Sequence, residues 1–317
     1  HYLQSGAMRR AALVCRKFVE MANAYGAEDT LAIATSATRE ARNQKEFLRL
    51  LRDEAGLQVH TISGREEARL IYLGVSSGIH LGSRPALFMD IGGGSTEVIV
   101  GDQHAYRHLD SMKLGAIRLT SMFFMPDESG PVADDRYALV QRYVRSASIR
   151  TAQRLEDHPF EIAVGGSGTI ENLADIVVRR FHGRGRTRDD VMTYAELHEV
   201  MTELRRLPLA ERRRVPGINA ARADIIVAGG AILETLMNDF GIESLRISDR
   251  GLREGLIVDY LARRNPELFS EMTVRERSVL RLGRACGFEE GHARIVAGLA
   301  TQLFDAARDI GLHTFGD

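Results

Sequence analysis

Residues 87–102, LFMDIGGGSTEVIVGD, place three glycines between an acid and a Ser-Thr pair, with apolar runs on both sides. The residues after the glycines are rich in β-branched side chains, which favour extended structure. This glycine loop therefore connects two strands, whereas dinucleotide-binding and Walker loops must lead into a helix. We predict strands at 86–90 and 97–102, joined by a turn at 91–96 as a β-hairpin.

Two acids, Asp90 and Glu97, bracket the first glycine loop (residues 92–95), so their carboxylates can converge at its mouth. Successive glycine N–H groups can approach an anion closely and form an anion-binding concavity. Acids beside an anion repel it unless a cation lies between them, and Mg²⁺ binds one or two carboxylates together with phosphate oxygens and water. We predict Asp90 and Glu97 as magnesium ligands; the alternative is a tight hairpin with a surface Asp and Glu.

Strand-like and helix-like segments alternate ahead of the hairpin, as in an α/β protein. Residues 29–37 and 57–62 are apolar runs suited to buried strands. Between them, Asn43 is placed to cap a helix that Gly56 ends. Arg39 follows the first of these strands, where it could clamp a phosphate with two hydrogen bonds, although a solvated arginine is the alternative.

The next predicted helix, at 63–75, carries two adjacent carboxylates. Ser63 and Glu66 match a capping box, which gives Glu66 a structural task. Glu67 shares a helix face with the residues three, four and seven positions further on, which is the face expected to pack. An acid at the edge of a packed face can have a raised pKa and act as a general base. The spacing alone leaves open a solvated first-turn acid favoured by the helix dipole.

A second glycine loop, GGSG at residues 165–168, runs from a strand into a helix for which Thr169 is a candidate N-cap. The N-terminus of a helix favours anions, and a plain strand-to-helix turn needs only one glycine. We therefore predict that Gly166, Ser167 and Gly168 contribute to phosphate binding.

The rest of the chain is mostly helical by its apolar periodicity. Residues 222–241 predict a buried helix in which Gly229 and Gly230 permit close backbone approach. Residues 245–264 read as a strand, a turn and a helix, and residues 271–317 as helices alone.

Composition excludes several classes of protein. The formal net charge of −1 over 317 residues argues against a general nucleic-acid binder. Two cysteines, Cys15 and Cys286, support neither a disulfide framework nor a Cys-based zinc site. No apolar run of about 18 residues is present. The basic runs at 179–188 and 211–217 are either solvated loops or a track for a polyanion. We expect a cytoplasmic protein that binds no membrane.

Five segments resemble, in order, the Ppx/GppA family, which comprises exopolyphosphatases and guanosine pentaphosphate phosphohydrolases of the actin-like ATPase superfamily. They are ATSATREARNQKEFL, ISGREEARLIYLGV, DIGGGSTEVIVG, GGSGTIENLA and ISDRGLREG. The resemblance covers roughly residues 1–265. Other actin-like proteins share glycine hairpins but lack an SGREEA segment just ahead of one.

The resemblance implies an α/β fold of two actin-like (ribonuclease H-like) lobes with a cleft between them, followed by the start of an all-helical HD-like region. The implied boundaries are 1–83, 84–268 and 269–317. The family's first phosphate hairpin, Asp-x-Gly-Ser/Thr-Asn, has no counterpart at the start of residues 1–83. We therefore expect the chain to be a piece of a longer protein.

The resemblance also implies roles for individual residues. The second glutamate of the family's SGxEEA segment is the catalytic base, which corresponds to Glu67. Asp90 and Glu97 then act at the Mg²⁺ site, and Arg39 binds phosphate from the first lobe. The remaining phosphate ligands are Gly92, Gly93, Gly94, Ser95, Gly166, Ser167 and Gly168.

The implied activity is Mg²⁺-dependent release of the terminal phosphate of inorganic polyphosphate, of the 5′-phosphate of guanosine pentaphosphate, or of both. The main alternative is a non-catalytic regulatory module that binds polyphosphate or alarmones; an ATP-dependent kinase ranks third. Family members often dimerise, so a homodimer is the expected assembly.

Overall fold

The computed structural model describes residues 1–82, 84–188, 190–264, 282–283 and 286–313. The chain divides into two compact units, His1–Val258 and Asp259–Asp317. Both sheets found in the described residues belong to the first unit. The boundaries predicted between two actin-like lobes, after residue 83, and before a helical region, after residue 268, stay predictions.

The N-terminal part of the first unit is built on a two-stranded parallel sheet. Its strands are β1 (Ala32–Ala34) and β2 (Val59–Thr61), and its helices are α1 (Ser5–Ala24), α2 (Ser36–Arg39) and α3 (Gln44–Ala55). Helix α3 makes the crossover that a parallel pair requires. The first strand is shorter than the predicted 29–37 because the chain turns into α2 at Ser36, so Arg39 ends a short helix instead of directly following a strand.

The two predicted ends of α3 have different outcomes. Gly56 ends the helix with φ of 66°, a left-handed conformation that glycine adopts easily, as predicted. Asn43 stands at the N-cap position, but its side chain makes no capping hydrogen bond. Its amide instead accepts from Leu3 N–H and donates to Leu3 C=O, both at 2.9 Å. The predicted cap was wrong because a long-range contact with the N-terminal segment uses the same side chain.

A six-stranded mixed sheet forms the larger part of the first unit, in the order β5-β4-β3-β6-β8-β7. Its strands are β3 (Ala86–Ile91), β4 (Thr96–Gly101), β5 (Tyr106–Met112), β6 (Ile162–Gly166), β7 (Val191–Thr193) and β8 (Ser244–Ile247). Strands β3, β6 and β8 are parallel neighbours, whereas β4, β5 and β7 run antiparallel to the strands beside them. The predicted hairpin is β3–β4.

Helices connect and follow the strands of this sheet, and two apolar clusters form its cores. The helices are α4 (Gly64–Ser76), α5 (Ala116–Phe123), α6 (Asp134–Glu156), α7 (Ser167–His182), α8 (Tyr194–Arg206), α9 (Leu209–Arg212), α10 (Ile226–Asp239) and α11 (Leu252–Arg264). Leu87 and Met89 of β3 belong to one cluster, and the alternate residues Ala86 and Phe88 to the other. A strand whose alternate side chains enter two cores is buried on both faces, which explains its continuous apolar sequence.

Helix α10 confirms the buried helix predicted at 222–241. A Cβ on Gly229 would lie 2.5 Å from Thr169 Cγ2, and one on Gly230 would collide with Met201. These two positions therefore require glycine for the close packing of α10 on its neighbours.

Only part of the second unit is described. Helix α12 (Glu290–Asp309) lies within the predicted helical region 271–317, of which residues 271–281, 284–285 and 314–317 lie outside the described residues. None of the helices in the described part of the chain combines the length and apolar composition needed to span a bilayer.

Candidate active site

The β3–β4 hairpin places its two acids directly opposite each other. Asp90 and Glu97 are paired residues of the antiparallel ladder, so their side chains are neighbours. Asp90 is 8% exposed and Glu97 is 1% exposed. Ser111, on β5, donates a hydrogen bond of 2.7 Å to Glu97 Oε1. The hairpin thus buries two carboxylates side by side at the mouth of the first glycine loop.

Helix α5 supports the first glycine loop by donating hydrogen bonds to the carbonyl groups of the loop. The hydrogen bonds are Ala116 N–H to Gly92 O (3.0 Å), Arg118 N–H to Gly93 O (3.0 Å) and Arg118 Nε to Gly94 O (2.7 Å). In the described part of the chain, the N–H groups of Gly93, Gly94 and Ser95 have no acceptor. Neighbouring backbone N–H groups without a partner are the donors from which an anion-binding nest is made.

Side chains would be crowded at the second and third glycines of this loop. A Cβ on Gly93 would lie 2.9 Å from Ile117 Cδ1, and one on Gly94 would lie 2.5 Å from Ser36 Oγ. Ser36 belongs to α2, beside the small sheet, so the loop touches the N-terminal part of the unit. The close approach explains the glycines at positions 93 and 94, which exceed what a hairpin turn needs.

Helix α4 brings Glu67 to the same place. Gly64, at the start of α4, lies against Ser111, the partner of Glu97. Glu67 is 7% exposed and accepts a hydrogen bond of 3.1 Å from Arg39 Nη1, which also donates to Ile62 O at 2.8 Å. The packed face predicted for Glu67 is therefore confirmed.

Glu66, the acid before Glu67, has the structural role predicted for it at the start of α4. Ser63 Oγ accepts from Glu66 N–H at 3.1 Å, which confirms the first half of the capping box. The Glu66 carboxylate accepts two hydrogen bonds from Arg69, at 2.9 and 2.7 Å, one turn further along α4. Of the two adjacent glutamates, only Glu67 is buried.

The buried carboxylates raise one another's pKa values. Burial raises the pKa of Asp90 to about 7, and the charges of Glu67 and Glu171 add to the effect. Burial also raises the pKa of Glu97 well above its ordinary value, with further contributions from Glu67 and Asp90. The pKa of Glu67 is raised by burial as well, against the lowering effect of Arg39. Charge repulsion of this kind requires that the acids lie close together.

The second glycine loop adjoins Asp90 through the sheet. Gly166 pairs with Asp90 across the parallel β3–β6 ladder, and Ser167 Oγ donates to Ile91 O at 2.8 Å. Ser167 has φ of 71°, the one non-glycine residue of the described chain with positive φ. The prediction that Thr169 caps α7 was wrong, because α7 already begins at Ser167 and Gly166 takes the cap position. Helix α7 thus begins two residues earlier than predicted, where the Ser167 hydroxyl is hydrogen-bonded to β3.

Several residues near the site were missed by the sequence analysis. Arg118 holds the loop, Ser111 binds Glu97, and the Arg222 guanidinium covers Gly168 so closely that a Cβ there would collide with it. Glu171, in α7, adds a further negative charge near Asp90. None of these belongs to a short motif of recognised chemistry, so only the fold identifies them.

The donor set around the first glycine loop fits Mg²⁺ bound together with a phosphate. Asp90 and Glu97 are buried oxygen donors whose mutual repulsion a divalent cation would relieve. Among the described residues, no three or more His, Cys, Asp or Glu side chains are arranged as a metal site by themselves. Magnesium would therefore need water and phosphate oxygens as further ligands, as is usual for this ion.

Comparison with known proteins places this geometry in a family. The model of the Ppx/GppA phosphatase family matches residues 2–264. The chain belongs to this family. The predicted family is thus confirmed, and with it a hydrolase of the phosphatase type.

Solved structures show the same fold. An exopolyphosphatase from Cytophaga hutchinsonii superposes with a TM-score of 0.76 at 23% identity, over 82% of this chain and 83% of that one. The Ppx/GppA family member from Aquifex aeolicus superposes with a TM-score of 0.69 at 27% identity, over 83% and 84% of the two chains. The predicted α/β actin-like fold is confirmed, whereas the role of each site residue in this Ppx/GppA phosphatase stays a prediction.

Proposed function

We propose that this chain hydrolyses phosphoanhydride bonds, releasing the terminal phosphate of inorganic polyphosphate, the 5′-phosphate of guanosine pentaphosphate, or both. The observation that carries the proposal is the contact between an anion-binding loop and a group of buried carboxylates. The N–H groups at residues 93–95 suit a phosphate, and Asp90, Glu97 and Glu67 lie close enough to one another to shift their pKa values. The exopolyphosphatase similar in fold supports the substrate class.

Binding and orientation come first in the proposed reaction. The N–H groups of the first glycine loop and the Ser95 hydroxyl hold the terminal phosphate, and the second glycine loop contributes Gly166, Ser167 and Gly168. Arg39, at the end of α2, belongs to the N-terminal part of the unit, and its guanidinium neutralises phosphate charge from there. Phosphoryl transfer needs mostly positioning and neutralisation of negative charge, which this set of donors can provide.

Glu67 is the proposed general base. Its carboxylate is fixed by Arg39 and buried, so it can orient a water molecule and accept its proton as the water attacks phosphorus. Burial raises the pKa of Glu67 toward physiological pH, so the carboxylate is a stronger base there than an exposed glutamate. Mg²⁺ bound by Asp90 and Glu97 would supply positive charge next to the phosphate oxygens.

The decisive experiment measures phosphate release from long-chain polyphosphate and from guanosine pentaphosphate, with Mg²⁺ present. We expect Glu67→Gln to lower kcat by roughly 10²–10⁴-fold, because glutamine keeps the shape but removes the base. Glu66→Gln is the matched control: it changes the adjacent residue, which binds Arg69, and should retain the wild-type rate.

The outcomes separate the candidate functions. Equal loss in both variants, or none in Glu67→Gln, would contradict the role of Glu67. If wild type binds polyphosphate without releasing phosphate, the regulatory binding module becomes the better description. Transfer of phosphate from ATP to an acceptor would indicate a kinase. The proposed homodimer is tested separately, by sedimentation equilibrium of the same protein.

A further inference from the structure

Arg118, which supports the first glycine loop, also contacts an acid from the N-terminal part of the unit. Its Nε donates to Gly94 O at 2.7 Å, and its Nη2 donates to Glu40 Oε2 at 2.9 Å. The side chains of Arg118 and Glu40 are 26% and 25% exposed. The ion pair therefore lies at the edge of the site, where a dissolved anion can reach it.

Glu40 approaches the loop from the N-terminal part of the unit. It follows α2 directly, next to Arg39, and its Oε1 accepts from Ser36 Oγ at 3.3 Å. Ser36 is the residue that a Cβ on Gly94 would touch. The Glu40 carboxylate, the third glycine of the loop and Arg118 thus share one corner of the site.

Two cations face this one acid. Burial raises the pKa of Glu40, but the hydrogen bond and charge of Arg118 and the charge of Lys113 outweigh it, so the pKa lies below its ordinary value. Glu40 is therefore ionised at neutral pH. A guanidinium binds carboxylate and phosphate oxygens with the same planar set of donors, so an ionised carboxylate occupies the position that a phosphate group would take.

We propose that Arg118 binds a second phosphate group of the substrate chain, next to the one held by the first glycine loop, and that the Glu40 carboxylate competes for the same guanidinium. The proposal rests on the proposed function, since it requires a substrate with linked phosphates. Glu40 then weakens binding of the chain, and Arg118 favours linked phosphates over a single phosphate. This corner of the site would set which phosphate compounds bind.

Calorimetric titration of the full chain, with Mg²⁺ present, tests the competition. The probes are inorganic tripolyphosphate, which reaches both positions, and orthophosphate, which fills one. We expect Glu40→Gln to tighten tripolyphosphate binding about fivefold, because a competing charge is removed while the amide can still bond to Ser36. Arg118→Gln should weaken it about tenfold or more, since a charge-assisted hydrogen bond is lost.

Two controls distinguish competition from a general change in charge. Glu128→Gln breaks another Glu–Arg pair, with Arg136, at a side chain that is also 25% exposed, and should leave tripolyphosphate affinity unchanged. In the Arg118→Gln background, Glu40→Gln should no longer tighten binding, because the guanidinium for which it competes is gone.

The outcomes also separate this proposal from the proposed function. Weaker tripolyphosphate binding by Glu40→Gln would show that the ion pair only supports the structure, and would overturn the competition. An equal gain with and without Arg118 would do the same. If wild type bound neither tripolyphosphate nor orthophosphate, the proposed function itself would fail.

Discussion

The two glycine loops have similar sequences but are built differently. The first glycine loop connects two strands, its carbonyl groups are bound by α5, and the N–H groups of Gly93, Gly94 and Ser95 are free of acceptors in the described structure. The second glycine loop leads into α7 through Ser167 at positive φ, and Gly168 is covered by Arg222. The first loop thus presents three neighbouring N–H groups without a partner, whereas the second brings backbone with a positive φ next to Asp90.

Among changes to the two glycine loops, the largest effect is expected for Gly94→Ala in the first. Its Cβ would lie 2.5 Å from Ser36 Oγ, so the loop or α2 must move. Displacement of about 1 Å at a site of this kind can cost roughly 10²-fold in kcat/KM. The assay is phosphate release from polyphosphate. Gly92→Ala is the control, because its Cβ would lie 3.3 Å from Ser95 O, a tight contact that a shift of a few tenths of an ångström relieves. Equal losses in the two variants would contradict the steric explanation.

A second prediction concerns the charge beside the first loop. Because burial raises the pKa of Asp90 from 3.8 to about 7, folding favours its protonated form, and this contribution to stability is lost progressively as the pH rises from the unfolded value to about 7. Without Mg²⁺, the gain in free energy of unfolding from Asp90→Asn should therefore be larger at pH 8 than at pH 5, by roughly 2 kcal/mol.

Urea unfolding at the two pH values measures this difference. Added Mg²⁺ should stabilise wild type more than the Asp90→Asn variant, since binding to the native state alone shifts the unfolding equilibrium. A variant less stable than wild type at pH 8 would show that Asp90 is not strained by its neighbours.

The third prediction tests the strain in the second glycine loop. Ser167→Ala and Ser167→Gly both remove the hydrogen bond to Ile91 O, but only glycine tolerates φ of 71° without cost. We expect Ser167→Gly to be more stable than Ser167→Ala by about 1 kcal/mol. Chemical denaturation of both variants gives this difference directly, and equal stability would contradict the strained conformation.

The smallest effect is expected for Gly168→Ala. The new Cβ collides only with the flexible end of Arg222, which can move aside. Residue 168 also lies in the first turn of α7, where alanine is favoured over glycine. The two effects should offset within about 0.5 kcal/mol. A thermal melt in which Gly168→Ala unfolds far below wild type would mean that the second loop is packed as tightly as the first.

Local patterns predicted the parts of the site that depend on neighbours in sequence. The β3–β4 hairpin and the buried face of Glu67 follow from residue periods that fix which side chains point inward. The caps at Asn43 and Thr169 were wrong because contacts with distant segments decided them. Arg118 and Arg222 reach the loops from elsewhere in the chain, so their contacts appear only once the elements are packed.

The support behind the first glycine loop has a consequence for how its sequence can change during evolution. Two of its three hydrogen bonds join main-chain atoms only, from the first turn of α5 to Gly92 and Gly93. Any residue other than proline supplies the same N–H, but Ala116 is buried against α10, so residue 116 must stay small. Gly115 is more restricted still, because a Cβ there would collide with the Gly93 carbonyl. In a lineage that kept the activity, we expect Gly115 to be invariant together with the three glycines of the first loop, although it lies about twenty residues after them in the sequence.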